Sequence, residues 1–309
     1  MRIVFFGSDE FAATSLEHLL KSSHQVVGAV TQPDTRQGRG MKLALSPIKV
    51  LAQAKGIDYI QPATLKSPDV VKQLKEFNAD LFVVVAYGRL LTQEILDIPK
   101  VFCVNVHGSL LPKYRGAAPI NWAILNGDKQ TGVTVQKMAL ALDAGDIIAQ
   151  APMPISFYMT ADILRSQMAD CGAKLLVNTI DAIETKKFIL TPQDPAEVSF
   201  APRLTREMAR IDWQLPAEFI YNQIRGLKPW PGTYALHQGK PLKILKAAIS
   251  SVDHHKPPGT ILTSDKTGFT VACGVDSLLV QEVQPEAGKA MSAASYVSGH
   301  SMEPSEVLP

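Results

Sequence analysis

The sequence predicts an α/β chain: a doubly wound, mostly parallel sheet first, then a small β-barrel. Three observations carry this. Short continuous apolar runs at Ile3 to Phe6, Val26 to Val30, Leu81 to Ala86 and Val101 to Val106 read as strands buried on both faces. Stretches with helical apolar spacing separate them, as βαβ units require. Beyond Pro202 the pattern changes to short runs broken by Gly and Pro, the signature of a small all-β unit.

The first run closes at Gly7, and Phe11 to Leu20 follows with apolar residues at helical spacing. Gly7 stands alone and not in a Gly-x-Gly-x-x-Gly fingerprint, so this opening predicts no dinucleotide site. Thr31 to Met41 has no periodicity and carries Arg36, Arg39 and two glycines. It is longer than the usual strand-to-helix connection of roughly two to six residues, which favours a functional loop. Ser46-Pro47 is an N-cap and first-turn pair opening a helix to Lys55, and Ser67-Pro68 repeats it for a helix to Phe77. Leu81 to Ala86 is apolar throughout and ends at Tyr87-Gly88-Arg89. Pro119 to Asn126 reads as a helix ended by Gly127, Gly132 to Met138 and Ile147 to Ile155 as strands, and Thr160 caps a long amphipathic helix through Ala182.

Leu190 to Pro202 holds three prolines and no periodicity, as an inter-domain linker does. The predicted division is a first domain over 1–189, a linker over 190–205 and a second domain over 206–309. In the second domain Ala217 to Arg225 is helical, followed by strands at Thr233 to Leu236, Leu242 to Ala248, Gly259 to Leu262, Gly268 to Ala272 and Leu278 to Val283. His300 to Pro309 carries no readable pattern and is expected to fray.

With 309 residues, 46% hydrophobic and 19% charged, the chain has room for two folded domains and a sizeable core. Cys103, Cys171 and Cys273 are scattered and form no Cys-x-x-Cys pair, which excludes a disulfide framework and a structural zinc site. The histidines show no ligand spacing, so no metal is expected. No apolar run reaches the ~18 residues of a membrane span, and no secretory signal opens the chain; a reducing cytoplasm is expected. Net charge is +2, but it is uneven: Arg203 to Lys256 has nine Lys+Arg against four Asp+Glu, a net +5, which leaves −3 elsewhere. A basic segment of this kind suits phosphate tracking.

The chemistry concentrates at the end of the Val101 run. Asn105 and His107 are two apart, so in a strand they leave the same face. A Gly-Ser-Leu-Leu-Pro turn follows, and the end of a buried parallel strand is where open α/β sheets place their sites. An amide N–H can stabilise an oxyanion, a histidine can move a proton, and a carboxylate can orient that histidine. The Leu142-Asp143-Ala144-Gly145-Asp146 turn offers the carboxylate, with Asp143 and Asp146 equally placed by sequence. No nucleophile stands out: Ser109 has no Gly-x-Ser-x-Gly elbow, and Cys103 lies within an apolar strand. The set suits acyl transfer to an amine.

Asn105-Val-His-Gly-Ser-Leu-Leu-Pro-Lys-Tyr-Arg-Gly-Ala-Ala-Pro119, with Leu142-Asp-Ala-Gly-Asp146 downstream, resembles the formyltransferases that use 10-formyltetrahydrofolate. The likeness extends from Phe6-Gly7, Val27-Gly28 and Thr31-Gln-Pro-Asp34 to Pro229-Trp-Pro231 and Lys289-Ala-Met-Ser292, and is strongest to the branch acting on methionyl-tRNA. The resemblance implies a Rossmann-like first domain and an OB-like second domain that helps hold tRNA. It implies Asn105, His107 and Asp143 as catalytic residues, and Ser109, Leu110, Leu111 and Pro112 along the folate. It implies tRNA contacts from the Asp34 to Lys42 loop, with Arg39 as its key arginine beside Arg36 and Lys42. Many members carry a proline where this chain has Arg36, so a stiffening residue is replaced by a charge. The partners implied are charged initiator tRNA and the folate; the sequence itself does not give the oligomeric state, for which a monomer is the expectation. Rivals of the same fold act on an amino-sugar nucleotide or hydrolyse the folate's formyl group.

Overall fold

The computed structural model of the protein describes residues 1–37, 42–252, 255–300 and 302–309. In chain order the elements are β1 (Arg2–Phe6), α1 (Glu10–Leu20), β2 (Gln25–Val30), β3 (Thr35–Gln37), β4 (Lys42–Ala44), α2 (Pro47–Lys55), β5 (Tyr59–Ile60), α3 (Pro68–Glu76) and β6 (Leu81–Val85). They continue with α4 (Gln93–Leu96), β7 (Phe102–His107), β8 (Arg115–Gly116), α5 (Pro119–Leu125), β9 (Gln130–Lys137), β10 (Ile147–Pro154), α6 (Ala161–Glu184) and β11 (Phe200–Ala201). The remainder is α7 (Ala217–Gly226), β12 (Tyr234–His237), β13 (Lys240–Ser250), β14 (Ile261–Asp265), β15 (Gly268–Ala272), β16 (Ser277–Pro285), β17 (Met291–Ser292) and α8 (Ala293–Gly299).

Two compact units result: 1–119, 130–154 and 165–201 form one, and 120–129, 155–164 and 202–309 the other. They interleave along the chain, each made of three segments. No helix among the described residues is long and apolar enough to cross a membrane.

The first unit is built on a sheet of order β10-β9-β7-β6-β1-β2-β5. β5, β2, β1, β6 and β7 are parallel, while β9 and β10 are added antiparallel. This is the mostly parallel sheet that the unbroken apolar runs predict. β6 is buried along its whole length, since helices cover both faces of a parallel sheet. Phe6, Phe82, Leu74 and Ile95 pack on one of those faces. Helix ends follow local chemistry: Ser46 accepts from the Ile48 N–H with Pro47 in the first turn, and Gly56 closes α2 at φ 65°. Parallel register matters most at one edge. Val84 pairs with Asn105 and Val85 with Val106, so β6 and β7 end side by side.

The 31–41 stretch departs from the expected irregular loop. β3 and β4 pair antiparallel, with Arg36 opposite Leu43 and Gln37 opposite Lys42. Three-residue strands are too short to show a period in sequence.

The second unit is an antiparallel sheet of order β12-β13-β16-β15-β14, with β17 on β16, curled into a half-barrel. Trp213, Ile220, Leu242, Phe269 and Val280 fill its core. Its outer strands are covered instead of joined to each other. The Ile211 N–H donates to Tyr234 O beside β12, and Thr260 bridges Val307 beside β14. The C-terminal stretch therefore does not fray: Leu308 is 2% exposed and Met302 3%, and the Ile261 N–H donates to Glu306 O at 2.8 Å. Helix α8, capped by Ser292 accepting from Ser295 N–H, has no counterpart in the sequence expectations.

Candidate active site

The site is assembled at the carboxyl end of β7. Asn105 and His107 point to the same face, as their spacing predicts. Asn105 Nδ2 donates to Val84 O on the neighbouring strand at 3.1 Å. An amide nitrogen carries two hydrogens, so the second is left for a ligand.

His107 is buried, and its Nε2 lies 2.9 Å from Tyr114 O. A carbonyl can accept but not donate, so this partner assigns the hydrogen to Nε2. The Nδ1 atom is left for proton exchange, and it faces Asp143 Oδ1 at 3.6 Å. That distance is beyond a hydrogen bond; the pair attracts as charges once the ring is protonated.

Among the two acidic candidates of the 142–146 turn, Asp143 is the one brought to His107. Its backbone is at φ 50°, a left-handed conformation costing about 1–3 kcal/mol in a non-glycine residue. The surroundings over-determine it. Gln193 Nε2 donates to Asp143 O at 2.8 Å and to Gly145 O at 2.7 Å. Arg115 holds Gln193 in turn, its Nε and Nη2 both donating to Gln193 Oε1. The Gly116 N–H donates to Asp143 Oδ2 at 2.9 Å. Gly145 passes so close to β9 that a Cβ there would lie 1.7 Å from Lys137 O. The Lys-Tyr-Arg-Gly run thus reaches the acidic turn through both Arg115 and Gly116.

Two residues of this network are absent from the sequence expectations. Gln193 lies in the proline-rich stretch and has no local signal. Gln136 had one: Thr134 and Gln136 are polar residues alternating with Val133 and Val135 in a strand buried along most of its length. Gln136 Nε2 donates to Asn105 Oδ1 at 3.3 Å and to Asp143 Oδ1 at 3.1 Å.

The Ser109 to Pro112 turn follows directly. Ser109 is fully buried, and its hydroxyl donates to Lys113 O at 2.6 Å. Thr134 Oγ1 donates to Ser109 O and accepts from the Leu111 N–H. Gln150 Nε2 donates to Leu111 O at 2.8 Å. Leu110 and Pro112 are the half-buried members, so any contact with a ligand falls to them and to the backbone. No activated nucleophile emerges among the described residues of this site. Burial pushes the Cys103 thiol up to about 12, and Asp97 adds to that.

Of the expected tRNA residues, Arg39 lies outside the described residues, while Arg36 and Lys42 occupy facing strands β3 and β4. Asp34 at the base of that hairpin is bonded by Lys49 Nζ and by Gln61 Nε2. In the second unit Lys240, Lys243 and Lys246 are exposed along β13, and Arg203, Arg206 and Arg210 precede α7 exposed. Arg225 does not join that surface. It is buried, donating to Asn222 Oδ1 and to Met159 O, and desolvation pulls its pKa down. Among the described residues, a grouping with metal-ligand character is His24, Asp181 and Glu184, where the Met1 ammonium already pairs with Glu184 at 2.8 Å.

The arrangement provides an oriented amide donor, a histidine with one free nitrogen and a fixed carboxylate. Together they can stabilise negative charge on a carbonyl oxygen and accept a proton from an attacking amine.

Comparison with known proteins agrees in kind. Residues 1–180 match the family described as formyl transferase, and residues 203–301 match the formyl transferase C-terminal domain. A methionyl-tRNA formyltransferase of Caldanaerobacter subterraneus subsp. tengcongensis is 45% identical over 309 residues, spanning 100% of both chains. One from Moorella thermoacetica is 44% identical over 308 residues, covering 100% of this chain and 99% of its own. Among solved structures, an N-formyltransferase from Helicobacter canadensis in complex with folinic acid and dTDP-3-aminofucose has a TM-score of 0.65 at 20% identity, covering 90% of this chain and 98% of its own. HypX from Aquifex aeolicus in complex with tetrahydrofolic acid has a TM-score of 0.63 at 17% identity, covering 100% of this chain and 50% of its own. These two show a shared fold.

Proposed function

The chain belongs to the formyl transferase family, and from that premise we propose that it transfers the formyl group of 10-formyltetrahydrofolate to the α-amino group of the methionyl residue on initiator tRNA. The product is formylmethionyl-tRNA, used to start translation. One observation carries the choice of acceptor. Relatives named for methionyl-tRNA match end to end at 45% and 44% identity, whereas the aminosugar neighbour at 20% supports the fold alone.

The donor set suits a formyl group, since Asn105 presents a neutral N–H beside a histidine with a free nitrogen. When bound, the folate supplies the electrophilic formyl carbon. Leu110 and Pro112 would line it, on a turn whose backbone Ser109 and Leu111 hold in place. Asn105 Nδ2 would donate to the formyl oxygen as negative charge builds there. His107 Nδ1 would take the proton of the amine as its nitrogen bonds the formyl carbon. It would return that proton to N10 of the folate as the N10–formyl bond breaks and tetrahydrofolate leaves, with Asp143 stabilising the ring while it is charged. For the acceptor, the Asp34 to Lys42 stretch with Arg36, Arg39 and Lys42 would contact tRNA, and the exposed lysines of β13 would track phosphates.

The test is direct. The protein is incubated with 10-formyltetrahydrofolate and charged initiator tRNA, and the aminoacyl product is analysed for formylmethionine. Parallel reactions replace the tRNA with an amino-sugar nucleotide or omit any acceptor. Formylation of the sugar with none of the methionyl-tRNA, or release of formate at the same rate without acceptor, would overturn the reading.

A further inference from the structure

We propose that Gln136 is a positioning residue of the formyl-transfer site, fixing Asn105 and Asp143 relative to each other through one side-chain amide. This rests on the reading above that Asn105, His107 and Asp143 carry the reaction.

Gln136 is 2% exposed and sits on β9 directly opposite Asn105 in the β7–β9 register. Cross-strand neighbours project to the same face, so its amide lies beside the site and not in it. Nε2 has two hydrogens and two acceptors: Asn105 Oδ1 at 3.3 Å and Asp143 Oδ1 at 3.1 Å. The network fixes the amide orientation, because a flipped Gln136 would aim Oε1 at two oxygens.

Two consequences follow. Asn105 is held at both ends, accepting from Gln136 and donating to Val84 O. Flipping it would set donor against donor and acceptor against acceptor, so its second N–H keeps one direction. Asp143 is held likewise, with Gln136 on Oδ1 and Gly116 N–H on Oδ2. The oxygen that Gln136 holds is the one facing His107 Nδ1. One amide therefore sets the spacing between the oxyanion donor and the partner of the proton acceptor.

The rest of the residue speaks against a purely structural role. Gln136 Oε1 is buried with no hydrogen-bond partner. A buried orphan acceptor is destabilising, and an apolar side chain of the same length would avoid it. The nitrogen's contacts are what the position gains from glutamine.

The experiment measures steady-state formylation of methionyl-tRNA by the full chain carrying Gln136→Met or Gln136→Glu. Gln136→Met keeps length and volume and removes the donor. Its kcat should fall about tenfold to a hundredfold, the scale of a misplaced catalytic group, with KM for both substrates within about twofold and thermal stability equal or higher. Gln136→Glu adds a carboxyl facing Asp143 and, beyond it, His107. At neutral pH it should be slower than Gln136→Met. As pH falls the introduced carboxyl takes a proton and becomes a donor again, so the ratio of its rate to wild type should rise. Wild-type kcat in Gln136→Met overturns the proposal, as does a pH-independent ratio for Gln136→Glu; the second readout stands even if the first variant folds poorly. Asn105→Ala in the same assay separates the two levels. Activity retained there would sink the reading of the site itself, whereas activity lost there and kept in both Gln136 variants sinks the role of Gln136 alone.

Discussion

The Gly116 N–H donates to Asp143 Oδ2 at 2.9 Å across twenty-seven residues of chain. This contact ties the end of the Lys-Tyr-Arg-Gly run to the acidic turn, and so joins two segments of the site that are separate in sequence. Gly116 itself is at φ 124°, and a Cβ there would lie 2.7 Å from Ala201 O, its partner in the β8–β11 pair. The position admits only a residue without a side chain. The carboxylate is therefore oriented by backbone, which cannot rotate away.

Asn105→Ala and His107→Ala should each lower kcat about a hundredfold or more while leaving the fold intact. Asn105 is half-buried and bonded to Val84 O and to Gln136 Nε2, so its loss removes two hydrogen bonds but little packing. Circular dichroism alongside the formylation assay checks both halves. Near-normal turnover in either variant would refute its role.

Gly145→Ala should cost activity and stability together. The added methyl would lie 1.7 Å from Lys137 O, so the turn bearing Asp143 must move away from β9. The expected readouts are a lower thermal midpoint and a kcat reduced about as far as a misplaced catalytic group allows, roughly a hundredfold. A variant with unchanged midpoint and rate would show that the turn tolerates displacement.

Leu308→Ala should destabilise the second unit by about 2–5 kcal/mol, the usual range for a buried leucine. Leu308 is 2% exposed and its N–H donates to Gly259 O. Denaturant unfolding gives the value; a change below about 0.5 kcal/mol, typical of a surface site, would mean the tail is not docked.

Thiol reagents should leave Cys103 and Cys273 unmodified in the native protein at about pH 8, since the thiolate is the reactive form. Burial pushes both thiols up to about 12. Cys171 is half-buried and its thiol is raised as well, mainly by desolvation, so it should react first but slowly. Peptide mapping after iodoacetamide treatment decides. Native labelling of Cys103 ahead of Cys171 would contradict the burial.

Asp34 and Lys49 should give the protein a stability increment between the acid and alkaline limits. The Lys49 hydrogen bond and that of Gln61 hold the Asp34 carboxyl below its ordinary 3.8, so its contribution is present above that value and lost as pH falls. The Asp34 hydrogen bond holds Lys49 above its ordinary 10.5, so its contribution is present below that value and lost as pH rises. In Asp34→Asn the drop in stability from about pH 6 to about pH 3 should be smaller than in wild type. An identical drop would show that the pair does not couple to folding.

Much of this protein is legible from its sequence because local physics repeats along the chain. Short unbroken apolar runs between helical stretches suit strands covered on both faces, and Ser46-Pro47 and Ser67-Pro68 each open a helix. The spacing of Asn105 and His107 is enough by itself to put them on one face of a strand. What the sequence could not decide was which carboxylate reaches His107, because Asp143 and Asp146 lie three apart in one turn, and the contacts that bring Asp143 to the histidine come from Gly116, Gln193 and the close pass of Gly145 against Lys137. Nor could it supply Gln136 and Gln193, whose partners come from other strands and from a proline-rich stretch. The tail and α8 were unreadable for the same reason: the Leu308 N–H donates to Gly259 O and its side chain joins the core of the second unit, far from it in the chain. Periodicity reports which way a side chain points along its own element. Which groups meet there is set by register between elements, and that exists only in the folded chain.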